Sequence, residues 1–306
     1  MNVLTTDGLS KIYKGHFAVK DVSMHIDKGD IYGFVGENGA GKTTLIRLIT
    51  GLAAPTKGTY SLYGVKNTSN EIYSARRRTG AIVETATMSR GMTAMENLKV
   101  QCSITGVSKT DEELEELIGR VGLDFKSIKN KKAGKFSLGM KQRLGIAMVM
   151  VSGADFVILD EPMNGLDPQG FVEMRETILN LNKEGVTFLI SSHILSELEK
   201  VCTKVGVISH GVLLEEISME DLHLAARRRI LIGADDEAAV EAALKADGRF
   251  PDIGREEGRL AVYGDADINA IMRILVEKGL GIGTINVLDE TIEDYYIRLL
   301  GRGKIA

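Results

Sequence analysis

Gly36-Glu37-Asn38-Gly39-Ala40-Gly41-Lys42-Thr43-Thr44 is the stretch of sequence that decides the fold. From Gly36 to Thr43 it fits the pattern G-x-x-x-x-G-K-[ST], in which the backbone N–H groups of a glycine-rich turn face a polyphosphate. The apolar residues 31–35 before it are typical of a buried strand, and residues 43–49 after it have the apolar spacing of a helix. Because strand, loop and helix follow in the order that the motif requires, the pattern predicts a nucleotide site.

The residue types of this loop indicate its chemistry. Glycines allow the tight curl of the backbone, Lys42 is expected to reach the β- and γ-phosphates, and the Thr43 hydroxyl is expected to ligate Mg²⁺. The alternative is a purely structural glycine-rich turn that holds no ligand. The expected nucleotide-binding residues of the loop are Gly36, Glu37, Asn38, Gly39, Ala40, Gly41, Lys42, Thr43 and Thr44.

A second element of phosphate chemistry follows at Phe156-Val157-Ile158-Leu159-Asp160-Glu161-Pro162. Four apolar residues predict a buried strand that ends in two adjacent carboxylates, at the edge where open α/β sheets bind ligands. We expect Asp160 to hold Mg²⁺ and Glu161 to act as a general base toward a water molecule. The alternative is a solvated turn that only ends a strand.

Composition limits the function classes. The chain has 306 residues, which suggests about two domains, and its formal net charge of −4 gives no reason to expect nucleic-acid binding. Cys102 and Cys202 lie far apart and lack metal-ligand spacing, so two inert thiols are expected. The sequence shows no secretory signal and no unbroken apolar run of about 18 residues, so we expect no membrane span.

The pattern of the chain predicts an α/β fold in two parts. Residues 1–217 are expected to combine a parallel core sheet with an antiparallel β subdomain and a helical subdomain at about residues 88–150. Residues 218–306 follow a shorter cycle of strands (230–233, 259–263 and 283–288) and helices (237–245, 268–278 and 291–300), which predicts a small α+β domain of the ferredoxin-like type. No group of residues in this second part suggests chemistry, and a scaffold role is the first interpretation.

Residues 136–143, Phe-Ser-Leu-Gly-Met-Lys-Gln-Arg, resemble the LSGGQ signature of the ATP-binding subunits of ABC transporters, which are P-loop NTPases. The resemblance covers roughly residues 2–217. It implies that Ser137 and Gly139 offer donors to the γ-phosphate held by the opposite subunit, so that a head-to-tail homodimer encloses two ATP molecules. Leu138 departs from the usual glycine.

Three further residues match the same family. Asp167 in Asn164-Gly165-Leu166-Asp167 is similar to the aspartate that contacts the partner subunit, and His193 resembles the switch histidine that orients the attacking water. Tyr13 resembles the aromatic residue that stacks on adenine. Without the resemblance, His193 reads as a structural histidine and Tyr13 as an ordinary half-buried tyrosine.

Glu84 marks a departure from the family pattern. It stands where the family has a glutamine, at the junction between a strand and the helical insertion, and it resembles the substitution in the bacitracin-resistance and lantibiotic-immunity branch. A carboxylate there adds an oxygen ligand for Mg²⁺ and a like charge near the γ-phosphate. We therefore expect a catalytic and metal role for Glu84, with a solvated surface glutamate as the alternative.

The resemblance implies an ATPase that uses ATP and Mg²⁺ to drive a separate membrane permease. It further implies export of peptide antibiotics or similar amphipathic compounds, no nucleic-acid partner, and a cytoplasmic location at the inner face of the cell membrane. Residues 84–97 are the expected permease contact. Two alternatives stay open: an ATP-dependent switch of the translation or DNA-repair type, and a sensor that binds ATP without hydrolysing it.

Overall fold

The computed structural model describes residues 2–225, 228–256, 258–264, 266–288 and 291–303. The chain divides into two compact units, Met1–Met219 and Glu220–Ala306. We predicted a boundary between residues 217 and 218, and the independence of the two units as domains stays a prediction. Within the described ranges, no helix combines the length and the apolar character needed to cross a membrane.

The first unit contains eleven strands among the residues described. They are β1 Asn2–Tyr13, β2 His16–Val22, β3 His25–Asp27, β4 Ile31–Val35, β5 Lys57–Leu62, β6 Val65–Lys66, β7 Thr79–Ile82, β8 Phe156–Asp160, β9 Thr187–Ser192, β10 Lys204–Ser209 and β11 Val212–Ser218. The helices are α1 Lys42–Thr50, α2 Ile72–Arg77, α3 Ala94–Thr105, α4 Asp111–Arg120, α5 Phe125–Ile128, α6 Leu138–Met150, α7 Pro168–Lys183 and α8 Leu195–Leu198, with a short 3-10 turn at Ala133–Lys135. Helix α9, Met219–Ala225, begins at the last residue of this unit.

A six-stranded sheet forms the centre of the first unit, in the order β11-β10-β4-β9-β8-β7. All neighbouring pairs are parallel except β10 with β11, which confirms the predicted parallel core. Every residue of β4, β8 and β9 is buried, as expected for parallel strands that are covered on both faces. Val35 lies opposite Ser192, and Asp160 lies opposite Ser191, so the carboxyl ends of these three strands meet.

The predicted antiparallel element is a second sheet in the order β2-β1-β5-β6, with β3 paired to β1. Leu4, Leu62 and Tyr60 of this sheet belong to one apolar core together with Leu45 and Leu48 of α1. The helix that follows the phosphate loop is therefore packed between the two sheets by its apolar face.

Helices α3 to α6 form the insertion between β7 and β8. We predicted helical structure from residue 88, but α3 begins at Ala94 because Thr93 and Glu96 form a capping box. A second capping box, made by Thr110 and Glu113, starts α4. Each box satisfies backbone N–H groups that the first helical turn leaves free, and so fixes the start of the helix.

The second unit has the order β12 Arg229–Gly233, α10 Glu237–Asp247, β13 Ile253–Glu256, β14 Arg259–Tyr263, α11 Ile268–Glu277, β15 Thr284–Leu288 and α12 Ile292–Gly303. Its strands form one antiparallel sheet, β13-β14-β12-β15. The core contains Ile230, Ile232 and Val262 from the strands, together with Val240 of α10 and Ile271 of α11. Strand β13 was missed in the sequence because its residues Ile253-Gly-Arg-Glu256 show almost no apolar alternation.

Candidate nucleotide site

The phosphate loop connects β4 to α1, and two of its glycines have backbone angles that side chains rarely adopt. Gly39 has a φ of 84° and Gly41 a φ of 109°. A Cβ atom at Gly41 would lie 2.5 Å from the carbonyl oxygen of Ala18, and one at Gly36 would lie 2.4 Å from that of Ile208. The loop therefore needs glycine at Gly39 for conformation, at Gly36 for space, and at Gly41 for both.

Lys42 is held inside the curl of the loop. Its side chain is 6% exposed, and Nζ donates to the carbonyl oxygens of Gly36 at 2.6 Å and Glu37 at 3.2 Å. The same Nζ lies 3.2 Å from Oε1 of Glu161. The ammonium group thus stands between the loop carbonyls and the acid of β8, where its charge faces the cavity of the loop.

Asp160 links the loop to the neighbouring strand. Thr43 donates from Oγ1 to Oδ2 of Asp160 at 2.9 Å, and Ser191 donates to Oδ1 at 2.6 Å. Asp160 is 3% exposed. Mg²⁺ in such sites is held by one or two carboxylates together with phosphate oxygens and waters. A hydroxyl and a buried carboxylate in direct contact, next to a phosphate loop, fit this ion.

Glu161 lies beside Asp160 but points to a different partner. Its Oε2 is 2.8 Å from Nδ1 of His193, and its backbone N–H donates to the carbonyl oxygen of Ser191 at 3.1 Å and to the Ser191 hydroxyl at 3.0 Å. Its φ of 51° is unusual for a residue with a side chain. Such strain occurs at functional sites, where surrounding bonds hold it in place.

A cavity of about 210 Å³ lies between the phosphate loop and Glu161. It is lined by Ala18, Asn38, Gly39, Gly41, Lys42, Thr43, Thr44 and Glu161. The structure therefore brings together most of the predicted phosphate loop and Glu161, the predicted general base. His193 is adjacent to them through its contact with Glu161. Ala40 is buried under the loop, where its carbonyl oxygen accepts from Gly211 at 2.9 Å.

Ser137 and Asp167 do not line this cavity, and each caps a helix. Ser137 caps α6 by accepting from the Met140 N–H at 3.2 Å, and Asp167 caps α7 by accepting from the Gly170 N–H at 2.8 Å. Gly139 is buried in the first turn of α6. Within one chain, these predicted residues thus lie apart from the phosphate loop, and their nucleotide roles stay predictions.

Tyr13 and Glu84 are two exposed residues among those predicted for the site. Tyr13 ends β1, is 46% exposed, and has the Lys11 ammonium 5.0 Å from its ring centroid. Glu84 follows β7 with a φ of 65°, and its carboxylate, 63% exposed, pairs with Arg47 of α1. Neither lines the loop cavity, so adenine stacking by Tyr13 and metal binding by Glu84 stay predictions.

Ser191 and Ala18 are site residues that we did not assign from the sequence. Ser191 binds both Asp160 and the backbone of Glu161, and its position at the end of an apolar run before His193 was an available signal. Ala18 of β2 lies against Gly41 of the loop with its carbonyl oxygen. Because this is a backbone atom, the residue type gives no signal in the sequence.

Comparison with known proteins gives the family. The family model described as ABC transporter matches residues 19–164. The bacitracin transport ATP-binding protein BcrA of Bacillus licheniformis is 38% identical over 99% of both chains. The lantibiotic transport ATP-binding protein SrtF of Streptococcus pyogenes is 38% identical over 70% of this chain and 90% of its own.

Solved structures agree with the sequence relatives. A structure titled ATP binding subunit of ABC transporter is 28% identical, has a TM-score of 0.63, and covers 73% of this chain and 92% of its own. Family, fold and loop geometry point to the same chemistry. The chain belongs to the ATP-binding, ATP-hydrolysing proteins of the ABC transporter family.

Proposed function

We propose that this protein hydrolyses Mg²⁺-bound ATP with the groups that meet at the ends of β4, β8 and β9. The observation that carries the proposal is the contact of Glu161 with both Lys42 and His193, beside the Thr43–Asp160 pair. Lys42 and the loop N–H groups bind the phosphates, and Thr43 with Asp160 holds Mg²⁺. The bound ion neutralises charge that develops on the phosphate oxygens.

Glu161 is the proposed general base. Its carboxylate borders the loop cavity, so a water molecule beyond the γ-phosphate lies within its reach. His193 holds the carboxylate at Oε2 and orients the water, and Ser191 fixes the backbone of Glu161. Phosphoryl transfer depends on positioning and charge stabilisation, and these residues supply both.

Two copies of the chain are proposed to associate head to tail around ATP. Proteins of the family form dimers and work with a membrane permease. The separation of Ser137 and Asp167 from the loop of their own chain supports completion of each site by the opposite copy. The N-terminus of α6, with its free N–H groups and positive dipole end, is suited to the γ-phosphate.

The names of the relatives support a transport role in antibiotic resistance. BcrA is named for bacitracin transport and SrtF for lantibiotic transport. We therefore propose that this protein drives a separate permease that exports peptide antibiotics or similar amphipathic compounds, from the cytoplasmic face of the membrane. Residues 84–97 are the proposed permease contact. The comparisons do not favour the switch of the translation or repair type.

The second unit is proposed to be a ferredoxin-like domain. The support is its βαββαβ order with the antiparallel arrangement β13-β14-β12-β15. We propose a domain boundary between residues 217 and 218. We also propose a scaffold or dimerisation role for this unit, because the sequence of this part contains no group of His, Cys or paired acids suited to chemistry.

The variant Glu161→Gln tests the proposed chemistry. We expect ATP binding to persist and ATP turnover to fall by about 10²–10⁴-fold, the usual contribution of a general base. Binding of a fluorescent ATP analogue and phosphate release are measured on the same preparation. Glu116→Gln, at an exposed position of α4, is the matched control and should hydrolyse ATP at the parent's rate. Parent-like turnover by Glu161→Gln contradicts the base assignment.

A further inference from the structure

The signature segment and the loop that carries Asp167 are packed against each other within one chain. A Cβ atom at Gly165 would lie 3.3 Å from Cδ2 of Leu138. A Cβ atom at Gly139 would lie 3.7 Å from Leu166 and 3.8 Å from the Cα atom of Gly170. The first turns of α6 and α7 are therefore direct neighbours.

An ion pair between a buried arginine and a half-exposed glutamate joins the same two helices further along. Arg143 of α6 is 7% exposed, and its Nη2 lies 2.6 Å from Oε2 of Glu173 on α7. Its Nη1 donates to the carbonyl oxygen of Gly122 at 2.6 Å. A planar guanidinium that binds two acceptors fixes direction as well as distance. A buried charge of this kind requires its partner, because an unpaired one is costly.

The contacts of Glu173 extend to Gln169, close to Asp167. Glu173 accepts through Oε1 from Nε2 of Gln169 at 3.2 Å, and Gln169 lies in the first turn of α7, two residues after Asp167. Arg143 lies six residues after Ser137, which is less than two helical turns. Arg143 of α6 is thus connected through Glu173 to Gln169 in the first turn of α7.

We propose that Arg143 and Glu173 are positioning residues that hold Ser137 and Asp167 as one rigid unit, presented to the nucleotide of a second copy of this chain. The inference rests on the proposed head-to-tail function. Arg143 contacts neither the phosphate loop nor Glu161 in the described contacts of its own chain, so its effect is exerted on the opposite site. Small displacements of positioned groups lower rates strongly, by up to about 10²-fold for a shift of about 1 Å.

A subunit-mixing experiment separates action on the opposite site from a general defect. Arg143→Gln protein is mixed with Glu161→Gln protein before ATP is added, and phosphate release is measured. In a mixed dimer, one site combines the intact loop and Glu161 of the first subunit with the intact signature of the second. We expect each variant alone to lose at least about tenfold in turnover. The mixture should then exceed the sum of the two variants measured separately.

Controls make the outcome decisive. Glu173→Gln is the second variant at the same ion pair, and we expect it to give the same recovery as Arg143→Gln. It replaces Arg143→Gln in the mixture if thermal unfolding shows that Arg143→Gln folds poorly. Ser137→Ala mixed with Glu161→Gln is the positive control, because Ser137 itself acts on the opposite site. Asp111→Asn breaks an exposed ion pair with Lys99 in the same helical segment and should leave turnover unchanged.

Each result has a distinct meaning. Recovery in the Ser137 mixture and in the Arg143 or Glu173 mixture supports the proposal. Recovery in the Ser137 mixture but in neither ion-pair mixture overturns the proposal. Parent-like turnover by both ion-pair variants also overturns it. Failure of the Ser137 mixture contradicts the head-to-tail site itself, and with it this inference.

Discussion

Asp160 and Glu161 are adjacent in the sequence, but the structure gives them different partners. Asp160 is almost fully buried and accepts from two hydroxyl groups, whereas Glu161 borders the cavity beside an ammonium group and an imidazole. The left-handed backbone of Glu161 turns its side chain away from that of Asp160. The two carboxylates, for which we propose the different roles of metal ligand and base, are separated in this way by one residue of strained backbone.

The residue types at the site could be predicted because phosphate chemistry demands them. The glycines, Lys42, Thr43 and the two acids follow from motif and context, and the structure gathers them at one edge of the sheet. Ser191 and Ala18 could not be assigned in the same way. Their roles depend on strand register and on backbone proximity, which arise only when distant segments pair.

Glu84 gives the most specific prediction at this scale. Glu84→Gln should keep measurable ATPase activity but raise the Mg²⁺ concentration needed for half-maximal rate, because an oxygen ligand of full charge is lost. Arg47→Gln is the matched variant. It removes the cation that pairs with Glu84, so the half-maximal Mg²⁺ concentration should fall. Superimposable Mg²⁺ titrations of both variants and the parent count against a metal role.

At the scale of elements, side-chain caps decide where the functional helices begin. Ser137 and Asp167 each accept a backbone N–H at the start of a helix, so the residues proposed to meet nucleotide or partner also set the direction of α6 and α7. The helices themselves were predictable from their spacing. Their starts were less so, because α3 begins six residues after the periodic pattern does.

Strands β2 and β13 show why some elements escape sequence analysis. Much of each strand is exposed or only half-buried, so neither has an alternating apolar pattern. Strand β2 forms through its pairing with the long β1, and β13 through its pairing with β14. Such edge strands depend on a partner strand more than on their own composition.

Asp155 ties the antiparallel sheet to the parallel core. It lies just before β8, where Tyr63 donates to Oδ1 at 2.5 Å and Arg78 to Oδ2 at 2.5 Å. Burial alone would raise the pKa of Asp155, but the hydrogen bonds from Tyr63 and Arg78 hold it below its usual value. Because the folded pKa is lowered, the stabilisation is complete above the unfolded pKa of about 3.9 and is lost as pH falls through the folded pKa.

We predict that Asp155→Asn lowers the free energy of unfolding by about 1 kcal/mol at pH 7, because the charge-assisted hydrogen bonds to the carboxylate are lost. The loss is modest because the partial exposure of this pair weakens those bonds. Urea unfolding of variant and parent checks this, and the difference should shrink below about pH 4. Asp111→Asn, whose partner Lys99 is exposed, should change stability little. A difference that is the same at pH 7 and in acid contradicts the linkage.

At the scale of the whole molecule, the chain consists of an ATPase unit and a smaller α+β unit. The first carries every residue of the candidate site. The second was predicted as small α+β structure, and its sheet order becomes visible only when β13 is added to the strands that the sequence indicates. Sequence alone cannot give this order, because strand neighbours are set by pairing across the chain rather than by local pattern.

The central claim is that ATP brings two copies together, with the loop of one facing Ser137 of the other. Sedimentation velocity of Glu161→Gln protein, which retains ATP, measures this most directly. We predict monomers without nucleotide, dimers at saturating Mg²⁺ and ATP, and a weakened dimer when Ser137→Ala is added. Protein that binds ATP at saturation yet sediments as a monomer at every concentration would contradict the account.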